Sequence, residues 1–203
     1  MGTLDRRPLI AGLLAVLALM LYLPAASAVA DVLDYCIYNP GQLKPTDSGT
    51  RIKVGDPAPD FKLTDLSGES VTLSQYRGKK NVVISFVPAA WTPICSQQWP
   101  GYNIAKDIFE QNEAVLLGIS VDNVPTLYAW TQQMGKLWFP VLSDFWPHGA
   151  VAAKYGVLRQ DGVSERALFV IDKKGVIRYI DVHDINIMPR LEDLAKELSR
   201  LEK

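Results

Sequence analysis

The sequence predicts an α/β domain with a mixed central sheet, flanked by helices and preceded by a β-hairpin. Two observations carry this. Short runs rich in Val, Ile and Leu, at residues 81–87 and 114–121, read as strands buried on both faces, and they are separated by enough chain for a crossover helix. Near the C-terminus, Arg166 to Asp172 and Val176 to Val182 flank the turn Lys173-Lys174-Gly175, which calls for an antiparallel pair in the same sheet.

The elements follow in order. Residues 1–30 read as a secretory signal peptide: Arg6-Arg7, an apolar run from Leu9 to Leu23, then Ala26-Ser27-Ala28 and Ala28-Val29-Ala30, either of which fits a cleavage site. The apolar run is shorter than the roughly 20 residues a spanning helix needs, so an uncleaved membrane anchor is the second reading. Export to the periplasm or another extracytoplasmic space is therefore expected. Of the 203 residues, 173 then remain, enough for one domain with a full core. The formal charge is −1, or −2 without the first thirty residues, and no basic patch stands out, which argues against nucleic acid as a partner. Residues 31–51 contain Pro40-Gly41, Pro45 and Thr46-Asp47-Ser48-Gly49 with little apolar periodicity, and are expected to form a flexible leader to a domain at 52–203.

Within that domain, Asp60 to Asp65 and Ser70 to Leu73 alternate on either side of Ser67-Gly68, the pattern of a hairpin. Strand 81–87 is stopped by Pro88. Strand 114–121, a helix over 125–134, a short strand over 139–143 and a helix over 149–155 ended by Gly156 come next. After the antiparallel pair, Leu191, Leu194, Ala195, Leu198 and Leu201 keep a helical stripe to the end.

One stretch concentrates chemistry. After Pro88, Thr92 and Pro93 suit a helix N-cap and first helical position, which sets Cys95 in the first turn. There a thiolate meets unpaired N–H groups and the positive end of the helix dipole, both of which favour the ionised, nucleophilic sulfur. A lone cysteine is more often a small buried apolar side chain, so the neighbours decide. The spacing Pro-x-x-x-Thr-x-x-Cys at Pro88, Thr92 and Cys95 resembles the active-site signature of the peroxiredoxin family, thiol peroxidases with a thioredoxin-like fold. Val54 to Phe61 and Ser164 to Asp172 extend the resemblance over about two thirds of the chain, with Arg166 matching the family arginine.

The resemblance implies a thiol-dependent peroxidase that reduces hydrogen peroxide or organic hydroperoxides through a cysteine sulfenic acid, with no cofactor. It implies that Cys95 attacks the peroxide, that Thr92 and the Cys95 N–H hold its oxygens, that Arg166 favours the thiolate and binds the peroxide, and that Pro88 shields the sulfur. A thiol reductant, protein or small molecule, is the implied partner, and a homodimer is compatible with it. Gln98 departs from the glutamate many members carry, which points to a tuned activity. Cys36 either resolves the oxidised Cys95 or is an unpaired or structural thiol.

A thioredoxin-like envelope thiol-disulfide oxidoreductase or chaperone is the alternative. It would need Cys-x-x-Cys, whose first position here is Thr92, and a cis-proline where Arg166 stands. A binding module without activity is a third reading. His148 and His183 lack metal-ligand spacing, and no Gly-rich phosphate loop is present.

Overall fold

The computed structural model describes residues 36–201. Residues 38–201 belong to one compact unit, and Cys36 and Ile37 to a separate N-terminal unit. The proposed signal segment, the Leu9–Leu23 run and residues 31–35 lie outside the described residues. Among the described residues, no helix is long and apolar enough to cross a membrane.

Strands β1 (Lys62–Asp65) and β2 (Ser70–Thr72) form the expected hairpin, with Leu63 opposite Val71. Its turn closes through the Asp65 carboxylate, which accepts the N–H groups of Ser67 and Glu69, and through Gly68 at φ +87°. β3 (Asn81–Phe86) lies at the heart of a seven-stranded sheet, parallel to β4 (Ala114–Ser120) and antiparallel to β6 (Arg166–Ile171). β5 (Val141–Ser143) and β7 (Ile177–His183) complete the order β2-β1-β5-β4-β3-β6-β7. The sheet is mixed, as the alternation of crossover and hairpin signals predicted.

All six residues of β3 are buried because the sheet is covered on both sides. Val82, Ile84 and Phe86 join a core with the hairpin, Phe169 and Tyr155. Val83 joins a second core with Trp99, Phe109, Trp130 and Leu194. The second core is roofed by α1 (Cys95–Ile104), α2 (Lys106–Gln111), α3 (Val124–Gln132) and α5 (Leu191–Ser199); the first is met by α4 (Ala150–Lys154). The single crossover helix expected between β3 and β4 is therefore two, broken at Ala105.

Gly118 of β4 brings α1 close. A Cβ there would lie 2.8 Å from the Trp99 ring, so the indole sits on the strand backbone, and its Nε1 donates to Ser85 Oγ of β3 at 3.2 Å. This contact sets the height of α1, and with it of Cys95, over the sheet.

The flexible leader expected at 31–51 needs correction for 38–51. That stretch has neither helix nor strand, yet it is fastened to the body. Asp47 and Ser48 donate their N–H groups to Glu165 Oε1 at 2.6 and 2.8 Å, Lys44 O accepts from Arg159, and Pro45 O accepts from Ile185 N–H at 3.0 Å. Partners more than a hundred residues away satisfy its backbone, and composition does not reveal them.

Candidate active site

The site is assembled by strand direction. Because β3 and β6 are antiparallel, with Phe86 opposite Ala167, the end of β3 and the start of β6 lie at the same edge of the sheet. The loop that leaves β3 carries Pro88 and Thr92 and runs into α1, which begins with Cys95; β6 begins with Arg166. Four sequence-predicted residues separated by up to 78 positions thus meet at one place.

The loop is held in a fixed path. Ser164 Oγ donates to Val87 O at 2.9 Å, just before Pro88. Ala90 N–H donates to Asp122 Oδ2 at 2.7 Å, and Ser120 Oγ donates to that same carboxylate oxygen at 2.6 Å. Trp91 then adopts φ +60°, an uncommon conformation for a bulky residue, which turns the chain into the helix. Its carbonyl accepts Tyr38 N–H at 2.7 Å.

Thr92 serves the helix start differently from the sequence expectation. Its carbonyl accepts Ser96 N–H at 3.0 Å, the first bond of the helical turn, as an N-cap carbonyl does. Its side chain does not cap: Oγ1 donates to Ala89 O at 2.9 Å. Spent on the loop, the hydroxyl hydrogen leaves the Oγ1 lone pairs as acceptors. The helix is assigned from Cys95, which is fully buried at its N-terminus. In a regular helix Cys95 N–H would bond to the Trp91 carbonyl, but Tyr38 occupies it, and no acceptor among the described residues is bonded to Cys95 N–H. Cys95 N–H is thus one of the unpaired donors of the helix N-terminus.

Arg166 is 2% exposed and its guanidinium is pinned on three sides. Nε and Nη2 donate to Ile185 O at 3.2 and 3.0 Å, and Nη1 donates to Gln98 Oε1 at 2.6 Å. Nη2 also donates to Cys95 Sγ at 3.5 Å. Gln98 relays the order inward, its amide nitrogen donating to Ser85 Oγ at 3.3 Å and to Tyr102 OH at 3.2 Å. Burial pushes the Tyr102 phenol far above its ordinary range, so it stays neutral in this network. Among the described residues no carboxylate forms an ion pair with Arg166. After the hydrogen bonds from Asn186, its charge helps hold the Asp184 carboxyl below the usual carboxylate range, and its nearest contact on the thiol side is the sulfur. A glutamate at position 98 would share that charge; Gln98 does not.

Pro88 and Thr92 line a cavity of about 440 Å³ that opens on Arg166. Cys36 is exposed and free, and Cys95 is free. Trp99 is a core side chain and Trp91 is half-buried. His148 lies against Trp146, while His183, opposite Arg166 across the β6–β7 pair, has its Nδ1 3.3 Å from Asp181 Oδ1. Sequence reasoning missed Ile185 and Ser164, which fix Arg166 and the loop. Ser164 falls inside the stretch carrying the resemblance and could have been suspected; a backbone carbonyl at Ile185 has no signature.

Residues 54–180 match the model of the AhpC/TSA family. The chain belongs to the AhpC/TSA family of peroxiredoxins. Alkyl hydroperoxide reductase E of Mycobacterium tuberculosis is 44% identical over 132 residues, 64% of this chain and 86% of that protein. Peroxiredoxin TSA1-B of Candida albicans is 36% identical over 159 residues, 73% of this chain and 80% of that protein. In structure, the reduced 2-Cys peroxiredoxin of Plasmodium vivax superposes with a TM-score of 0.67 at 29% identity, over 73% of this chain and 81% of that one. This peroxiredoxin is an oxidoreductase, a thiol-dependent peroxidase on a thioredoxin-like fold. Nothing in the comparisons favours the thiol-disulfide oxidoreductase alternative.

Proposed function

We propose that Cys95 is the peroxide-reducing thiol and that Thr92, Arg166 and Pro88 form its active site. The supporting observation is the Arg166 Nη2 to Cys95 Sγ contact of 3.5 Å, made by a guanidinium that three other bonds hold still. The thiolate attacks the terminal oxygen of a hydroperoxide ROOH: an S–O bond forms, the O–O bond breaks, and RO⁻ leaves to take up a proton as water or an alcohol. Arg166 and the free Cys95 N–H donate to the oxygens as charge moves outward, and they need no rearrangement to do so. Thr92 Oγ1 accepts the peroxide O–H, since its own hydrogen is bound to Ala89. Pro88 closes the wall above the sulfur.

The sulfenic acid then condenses with a thiol to a disulfide and water, and a second thiol releases reduced Cys95. Cys36, exposed and unpaired, is one candidate for the first thiol; a small or protein thiol is the other. Hydrogen peroxide and organic hydroperoxides are the substrates, in line with the name alkyl hydroperoxide reductase borne by relatives. We further read residues 1–30 as a signal for export to the periplasm or its equivalent, supported by Arg6-Arg7, the apolar run and the small residues at 26–30, and we expect a homodimer. Purified protein with dithiothreitol should consume hydrogen peroxide, and Cys95→Ser should abolish it; equal consumption by the serine variant would refute the assignment.

A further inference from the structure

The family match ends at residue 180 and starts at residue 54, yet residues 38–43 and 185–186, both outside it, line the active-site cavity. Leu43 is bound twice by one side chain: its N–H donates to Asn186 Oδ1 at 2.8 Å and its carbonyl accepts from Asn186 Nδ2 at 2.9 Å. Asn186 is itself oriented by Asp184 Oδ1, which accepts its N–H at 2.8 Å and its Nδ2 at 2.7 Å. Ile185 donates its N–H to Pro45 O, while its carbonyl holds Arg166. A second clasp is buried: Glu165 binds Asp47 and Ser48 and pairs with Arg159 at 2.7 Å. At its other end Tyr38 N–H binds the Trp91 carbonyl of the active-site loop.

The segment so tied forms one wall of the 440 Å³ cavity. Pro40 and Leu43 line it from the strap and Pro88, Pro93 and Ile94 from the loop; Thr92 and Arg166 form the polar end beside the sulfur, and Asp161 and Asn186 add further polar groups to a mostly apolar lining. A hydrogen peroxide molecule is little larger than water, whose share of liquid volume is about 30 Å³, so it leaves most of this space empty. The volume and the apolar walls suit an organic group of drug-fragment size with a single polar end.

We propose that residues 38–48 are a substrate-selecting strap, that its cavity receives the organic group of a hydroperoxide whose O–O end meets Thr92 and Arg166, and that Asn186 is the positioning residue that latches it. This rests on the peroxidase reading. The strap adds no chemistry; it favours organic over inorganic peroxide by removing apolar surface from water next to the reacting atoms.

The test uses the full chain with cumene hydroperoxide and hydrogen peroxide as probes. Asn186→Ala unfastens the strap, and Leu43→Asn makes its wall polar while keeping the latch, which Leu43 makes with backbone atoms only. In both, the ratio of kcat/KM for cumene hydroperoxide to that for hydrogen peroxide should fall by about tenfold, through KM, the scale of lost apolar contact in a binding pocket. Amide exchange across 38–48 should quicken in Asn186→Ala and stay as in the parent in Leu43→Asn. A ratio within twofold of the parent in both variants overturns the proposal, whatever exchange shows. Should Asn186→Ala fail to fold, the ratio in Leu43→Asn decides alone. An unaltered chain that reduces neither peroxide overturns the peroxidase reading and the proposal together, whereas an active parent with unmoved ratios overturns the strap alone.

Discussion

Replacing Arg166 by lysine keeps a positive charge and removes a shape. Three guanidinium nitrogens reach the Ile185 carbonyl, Gln98 Oε1 and the Cys95 sulfur at once. An ammonium carries its hydrogens on one nitrogen and cannot span these three acceptors. At least one buried acceptor is then left unpaired, at about 1–3 kcal/mol each, well inside the roughly 5–15 kcal/mol of a typical domain, so Arg166→Lys should still fold. The rate suffers more. Loss of one fixed donor to the charge developing on the peroxide oxygens corresponds to about 10²–10³ in rate. Initial rates of hydrogen peroxide consumption with dithiothreitol, over a range of peroxide concentrations, give the second-order constant, and urea unfolding gives the stability. The expectation is a fall of about 100- to 1000-fold in rate with a stability loss of about 1–3 kcal/mol. A rate within threefold of the parent would refute the reasoning that geometry, beyond charge, makes Arg166 effective.

Further outcomes follow from the same network. Gln98→Glu places a carboxylate against Arg166 Nη1, now 2.6 Å from the amide oxygen, and draws its charge from the sulfur; iodoacetamide should alkylate Cys95 about tenfold more slowly near pH 7, a loss of about 1.4 kcal/mol. An unchanged alkylation rate would show that the charge is screened before it reaches the thiol. Gly118→Ala drives a methyl into Trp99, 2.8 Å from the ideal Cβ, and overpacking of this kind costs about 1–3 kcal/mol, visible as a lowered urea midpoint with peroxidase activity reduced as α1 shifts. If Cys36 resolves, Cys36→Ser should leave Cys95 as sulfenic acid that climbs to sulfinic acid under excess peroxide, seen as added oxygen mass; normal cycling of this variant with a small thiol would assign resolution to that thiol.

The parts of this protein that were legible in the sequence are those written in side-chain type and spacing. β3 announced itself as a β-branched run between Lys80 and Pro88, because a strand covered on both faces must be apolar at every position. The resemblance singles out Cys95, Thr92 and Arg166, and strand direction brings these distant residues together. The rest depends on backbone atoms and on contacts between remote segments. Thr92 looked like a capping side chain, but its hydroxyl bonds Ala89 and only its carbonyl starts the helix. Residues 38–51 looked loose because Pro, Gly, Asp and Ser favour turns; Glu165, Arg159 and Asn186 fasten them through backbone groups that carry no residue code. Helix ends moved by one or two positions, as at α3, where the Asn123 side chain accepts Thr126 N–H and starts the helix at Val124.

The most direct test of the central claim is peptide mass spectrometry of the reduced full chain after one equivalent of hydrogen peroxide, with dimedone present to trap sulfenic acid. The account predicts the dimedone adduct on the peptide carrying Cys95, lost in Cys95→Ser and strongly reduced in Arg166→Met. An adduct on Cys36 with Cys95 left unmodified, or no adduct and no oxidation at Cys95 while peroxide disappears, would contradict it.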